Sequence, residues 1–353
     1  MSRAELEALV RDGEMIGRER SWAGLNLAGA DLSGGLFEGA DLSNTDLSGA
    51  NFRESLFTNV RLDGANLSGA NLTQANFVEC AMTRVNLGGV EAPMWNAVGC
   101  GLRGANFGKA NLTGASIIQC RLTRATFVGA TMAKVNMMKC RTDEIDLGGT
   151  VCEDVVFIEG DFTRVGIAGT RFIRTAFIQV HFAGRALPGF QVGGCFFSEC
   201  DISGCDLSGA DLVQAGLQKA KAVGTNFEGA RMARAVLLEA TLHGAVLRGA
   251  DLSNAILQDA DLTEADASGA RMVQAICVRM KAPRARFGQC DMTYADLSHA
   301  DLEQADLAGA TLARANLHMI RDAGARIPDR RSALPPDQDR AQAEQWQQRF
   351  APR

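Results

Sequence analysis

The chain has 353 residues, 46% of them hydrophobic and 22% charged, with a formal net charge of −5. That charge is small for the length and argues against a strong polyanion binder. No apolar run approaches the ~18–20 residues of a membrane span.

The first five residues, Met1-Ser2-Arg3-Ala4-Glu5, lack the basic and apolar regions of a secretory signal. A cytoplasmic protein, or one exported without a cleaved signal, is the expectation. Ser2 and Glu5 have capping-box spacing, Leu6, Leu9 and Val10 share one helical face, and Gly13 suits a helix end. Residues 1–20 are therefore expected to form a capping helix, with Met15, Ile16 and Trp22 continuing the cover.

From Leu27 to Leu317 every fifth residue is apolar, in one phase. The exceptions are mostly small (Ala92, Ala97, Thr142, Ala222, Ala267, Ala282), and none shifts the register. A period of five fits neither a helix nor a strand, so residues 21–320 read as a repeat architecture. Two positions before each apolar centre sits a small residue. Eight of the ten cysteines (Cys80, Cys100, Cys120, Cys140, Cys195, Cys200, Cys205, Cys290) fall there, while Cys152 and Cys277 fall on centres. They read as reduced, packed small hydrophobes rather than metal ligands.

Units such as Ala30-Asp31-Leu32-Ser33-Gly34, Ala65-Asn66-Leu67-Ser68-Gly69 and Ala250-Asp251-Leu252-Ser253-Asn254 resemble the pentapeptide-repeat family. The resemblance covers about residues 21–320. It implies an all-β fold, a right-handed quadrilateral β-helix (a pentapeptide-repeat solenoid) with one pentapeptide per side, twenty residues per turn and about 15 coils. The cysteine spacing supports that turn independently: Cys80, Cys100, Cys120, Cys140 and Cys200 share a phase modulo twenty, and should form a ladder. Phe37, Phe57, Phe77, Phe157, Phe177 and Phe197 share another and should stack. Three places strain the rule: Pro93 with Trp95, Arg185 with Pro188 and Phe190, and Pro283. Bulged or kinked coils are expected at each.

Sorted by phase, three outer faces are mostly Asp, Asn, Ser, Thr, Gly and Arg. The fourth carries Leu36, Leu56, Val156, Phe196, Val236, Ile256 and Ile276 before the centre. After the centre it carries Val78, Val98, Ile118, Met138, Ile158, Ile178, Leu238 and Val278. Charged residues such as Glu79, Lys139, Glu159, Lys134, Asp154 and Arg174 edge this stripe. An apolar patch with a charged rim is the signature of a partner surface, so another protein or a second copy in a homodimer is expected to bind here.

The repeat ends after Leu317. Residues 321–353 read as a Pro/Arg-rich linker and a short C-terminal helix from Asp337 to Phe350, with Trp346 and Phe350 one turn apart. So short a helix needs something to dock on, and those two aromatics are the expected contact.

Catalytic motifs are missing. The four histidines (His181, His243, His299, His318) show no metal-ligand spacing, no phosphate-cradling loop or nucleophile elbow occurs, and Tyr294 has no evident catalytic partner. Neither enzyme activity, cofactor, metal, small-molecule substrate nor direct nucleic-acid binding is expected. The leading expectation is a non-catalytic scaffold or adaptor, similar to family members that serve as accessory or chaperone-like components of bacterial type VI secretion effector modules. The resemblance also raises a DNA mimic that binds DNA gyrase, as in the quinolone-resistance branch. Asp201, Asp261 and Asp301, and Asp206, Asp266 and Asp306, form acidic columns, but Arg231, Arg234, Arg248, Arg271, Arg279 and Arg286 dilute them. A secreted bacterial effector is the third alternative.

Overall fold

The computed structural model describes residues 2–19, 21–335 and 337–350, with side chains of the last helix described to Glu344. The chain forms two compact units, Met1–His181 and Phe182–Arg353. The expected parallel β-helix is found in both.

In the first unit, α1 (Arg3–Arg11) is followed by strands of two or three residues on the sides of successive coils. These are β1 (Met15–Ile16), β2 (Leu36–Glu38), β3 (Leu56–Thr58), β4 (Asn76–Val78), β5 (Asn96–Val98) and β6 (Ser116–Ile118). Next along the chain come β7 (Thr131–Ala133), β8 (Asn136–Met138), β9 (Val151–Glu153), β10 (Val156–Ile158), β11 (Arg171–Ile173) and β12 (Ala176–Ile178). The stack runs β1-β2-β3-β4-β5-β6-β8-β10-β12, while β11-β9-β7 form a second sheet on a neighbouring side. All pairs are parallel, and from β2 onward they are offset by twenty residues, as in Phe57↔Phe77 and Ile117↔Met137, whereas β1 joins β2 at an offset of twenty-one. Continuous strand pairing thus counts about nine turns, fewer than the 15 coils expected. In the second unit, after β13 (Phe196–Ser198), sides pair through single bridges such as Asp206↔Asn226 and Ile256↔Ile276, still twenty apart.

The hydrogen bonds explain the consensus residue by residue. In the unit Asp46-Leu47-Ser48-Gly49-Ala50, the Leu47 and Gly49 N–H groups donate to Asn66 and Ser68 carbonyls in the next coil, at 2.7 and 2.9 Å. The Asp46 N–H donates to Leu25 in the coil before (2.9 Å), and that of Ala50 to Leu47 in its own coil (3.1 Å). Only the residue after the centre, Ser48, has no backbone acceptor. Its N–H donates to Asp46 Oδ1 at 3.1 Å. A backbone donor must find a partner, and this Asx turn supplies it.

The same position accommodates proline, which has no N–H to satisfy. Pro93, Pro188 and Pro283 all stand there, and the residue two before each is Glu91, Ala186 or Lys281 rather than Asp or Asn. The expected distortions at Pro93 and Pro283 are accordingly absent: their carbonyls accept from the Gln74 and Glu264 N–H groups, both at 3.0 Å. Trp95 is accommodated inside a regular coil. It is buried, 5.7 Å from Phe77 and 5.9 Å from Phe107 by ring centroids, and the centres on either side of it are the small Ala92 and Ala97. Only the coil around Arg185 and Phe190 opens. Both side chains and Leu187 are half-buried there, although Leu187 N–H still reaches the Asp206 carbonyl at 2.7 Å. Burial draws the Arg185 guanidinium pKa down.

Inside, Phe37, Phe57 and Phe77 stack at 4.6 and 4.3 Å, and Phe157 on Phe177 at 5.3 Å. All ten cysteines are free and buried. Ser, Thr and Cys side chains at the small position repeatedly donate to the central carbonyl twenty-three residues back. Thr150 Oγ1 reaches Phe127 at 2.8 Å, Ser55 Oγ reaches Leu32 at 2.8 Å and Cys140 Sγ reaches Ile117 at 3.3 Å. This lets Ser, Thr and Cys enter an apolar interior without an orphaned donor.

Both ends are covered. Ser2 caps α1 by accepting from the Glu5 N–H at 3.3 Å, and Leu6 is fully buried. The Arg3 guanidinium donates to the Ala28 and Gly29 carbonyls (2.8 and 2.7 Å), and Glu7 Oε1 accepts from the Asp31 N–H (3.0 Å). At the other end Leu312 N–H donates to Asp329, Arg314 N–H to the Ser332 carbonyl and Leu334 N–H to the Ala315 carbonyl. The helix α2 (Gln338–Phe350) follows. The side chains of Trp346 and Phe350 lie outside the described residues. Among the described residues no helix is long and apolar enough to cross a membrane.

Candidate protein-interaction face

Because each centre points inward, the residues immediately before and after it point out. In the first unit strand pairing brings Val78, Val98, Ile118, Met138, Ile158 and Ile178 into one column, each directly over the next. All six are partly exposed. Val156 lies beside this column on β10, between Asn136 and Ala176, so the pre-centre column of this unit is more polar than its partner. Leu36 and Leu56 pair at its start, with 42% and 40% of their surfaces exposed.

The second unit inverts that balance. Bridges link Phe196, Gly216, Val236, Ile256, Ile276 and Asp296 in order, so the pre-centre column is the apolar one. Phe196 (46%) and Ile276 (41%) are its most exposed members. Leu238 and Val278 stand in the post-centre column with Gln258 between them, all partly exposed. The last two members of that column, Ser298 and His318, are buried instead. His318 Nε2 lies 3.1 Å from Glu344 of α2, so the C-terminal helix reaches this same face.

The corners beside the apolar columns are charged and internally paired. Arg174 Nε donates to Asp154 at 2.7 Å and holds that carboxyl below its ordinary range. Lys139 pairs with Glu159 at 3.4 Å, and Lys219 with Glu239 at 3.8 Å. Exposed pairs of this kind add little stability, but they leave the rim hydrophilic.

The polar sides of the second unit have a different order. One bridged column reads Asp201, Lys221, Thr241, Asp261, Lys281, Asp301, Arg321, and another Asp211, Arg231, Asp251, Arg271, Asp291. Neighbouring rungs pair, with Lys221–Asp201 at 3.4 Å, Arg231–Asp211 at 3.2 Å and Arg321–Asp301 at 3.3 Å. Alternating signs cancel at a distance, whereas duplex nucleic acid presents a uniform row of negative charge.

Sequence spacing overlooked one cluster. His299, His318 and Glu344 bring three potential metal-ligand atoms within 4.8 Å of one another. The histidines are nineteen residues apart, which one turn of the coil converts into adjacency.

A family model described as pentapeptide repeats matches in eight copies, over residues 23–59, 51–89, 100–141, 192–217, 212–249, 240–276 and 283–320. No curated protein matches the chain. Among solved structures, HetL from the cyanobacterium Nostoc sp. strain PCC 7120, a pentapeptide repeat protein involved in heterocyst differentiation regulation, is 20% identical. The match covers 93% of this chain and 98% of that one, with a TM-score of 0.21. A trypsin-treated variant of QnrB1, a plasmid-mediated fluoroquinolone resistance protein, is 19% identical over 57% of this chain and 89% of its own, with a TM-score of 0.26. A pentapeptide repeat protein of the Arabidopsis thaliana thylakoid lumen is 29% identical over 33% of this chain and 68% of its own, with a TM-score of 0.12.

Proposed function

This chain belongs to the pentapeptide-repeat family, and on that footing we propose that it is a non-catalytic scaffold whose apolar outer face binds another protein or a second copy of itself. The reading rests on one observation: six apolar residues, Val78 to Ile178, stand in register on the outside of successive coils, between charged corners. Apolar area aligned this way is costly to leave in water and favourable to cover. Phe196, Val236, Ile256, Ile276, Leu238 and Val278 extend the same role to the second unit. A finer proposal is an accessory, chaperone-like part of a bacterial secretion effector module; effector genes beside this one would support it.

The test is the double variant Ile118→Asp with Ile158→Asp. Two carboxylates in the column would be desolvated and unpaired on binding, at several kcal/mol, so affinity falls at least about a hundredfold. Light scattering and affinity capture from the native host report the loss, and circular dichroism checks that the coil persists. Unchanged association in both assays refutes the proposal. The alternating charge columns favour this reading over DNA mimicry, which a gyrase supercoiling assay tests separately.

A further inference from the structure

We propose that His299, His318 and Glu344 form a binding site for a divalent transition-metal ion, with zinc the first candidate, which fastens α2 to the final coil. Glu344 Oε2 lies 3.1 Å from His318 Nε2 and 3.3 Å from His299 Nε2. Tetrahedral zinc with bonds of about 2.0–2.1 Å separates its ligand atoms by about 3.3–3.4 Å. Two edges of the ligand polyhedron are therefore set to within a few tenths of an ångström, and the third lies within 4.8 Å.

The coil builds the site. His299 N–H donates to the His318 carbonyl at 2.8 Å, which clamps the two backbones together, and the rings meet edge to face at 5.4 Å. His318 is nearly buried, with 5% of its side chain exposed, whereas His299 (33%) and Glu344 (31%) open to solvent. Arg340 Nε donates to the other carboxylate oxygen, Oε1, at 2.9 Å and aims Oε2 at the imidazoles. Such an outer partner fixes a ligand's orientation. Two imidazoles and one carboxylate suit zinc and its first-row neighbours, with a fourth position left to water. A cation here would take the place of the proton through which His318 Nε2 can donate to the carboxylate.

Tag-free, full-length protein stripped with a chelator is titrated with Zn²⁺, and with Co²⁺ as a spectroscopic probe. One zinc per chain is expected, together with tetrahedral cobalt bands free of thiolate charge transfer. Zinc should also slow proteolysis of the segment before α2. Glu344→Gln, which keeps an acceptor, and His299→Gln, at the exposed edge, should each weaken binding by about tenfold or more. Absence of bound metal overturns the assignment. So does unchanged affinity in both variants, or a cobalt spectrum with thiolate bands, which would place the ion on the cysteines.

Discussion

Trp95 occupies a place where nearly every other coil holds Ala, Ser, Thr, Cys or Val, and truncating it measures how the interior trades volume between positions. Trp95→Ala empties a fully enclosed site between Phe77 and Phe107. Such truncations cost about 3–5 kcal/mol. The Trp95 Nε1–H is buried without a partner, a defect that itself costs about 1–3 kcal/mol, so the net loss should be about 2 kcal/mol. Ala97→Phe alone overpacks the coil, by about 1–3 kcal/mol. Combined, the two changes restore the common pattern, because the new ring would stand over Phe77 as Phe77 stands over Phe57. The double variant should then lie within about 1 kcal/mol of the parent, giving a coupling of 2 kcal/mol or more in magnitude. Urea unfolding supplies the free energies, and hydrogen exchange at residues 96–98 localises them. Effects that simply add to within about 0.5 kcal/mol would refute volume exchange between these positions.

Two further outcomes follow from the backbone scheme. Val273→Pro substitutes the residue after a centre, whose N–H lies outside the ladder, and should change the melting temperature little. Gln274→Pro removes the N–H that donates to the Thr293 carbonyl, at a residue with φ of +58°, and should cost about 3 kcal/mol or more. Equal effects from the pair would defeat the scheme. Acid should weaken the coil within a defined window. Serine hydroxyl and backbone N–H groups hold the Asp31, Asp41, Asp46 and Asp206 carboxyls below their ordinary value of 3.8. Folded values below the unfolded one make this stabilisation complete above about pH 4, and it is lost as pH falls through the depressed values. Urea midpoints should thus be flat from pH 7 to 5 and drop below about pH 4; a drop centred near neutrality would point to histidines instead.

The fold was legible because a period of five survives across the chain and five cysteines repeat the twenty-residue turn. The outer columns were legible for the same reason, since phase alone assigns a side. Trp95 misled because its bulk was weighed without its neighbours, although Ala92 and Ala97, adjacent exceptions in the apolar series, carried the compensating signal. Pro93 and Pro283 misled because which N–H lies outside the ladder emerges only from the hydrogen-bond pattern. The His299–His318–Glu344 cluster was invisible to spacing rules written for helices and loops, where nineteen residues signify nothing. Its third member arrives from a separate helix that the repeat does not place.

The thiols give this interior a built-in clock. Each is buried, and burial pushes the Cys290 pKa up to about 12. Alkylation therefore has to wait for its surroundings to part. Since cysteines recur from residue 80 to residue 290, mass spectrometry of alkylated peptides would chart, turn by turn, where the spiral unzips first.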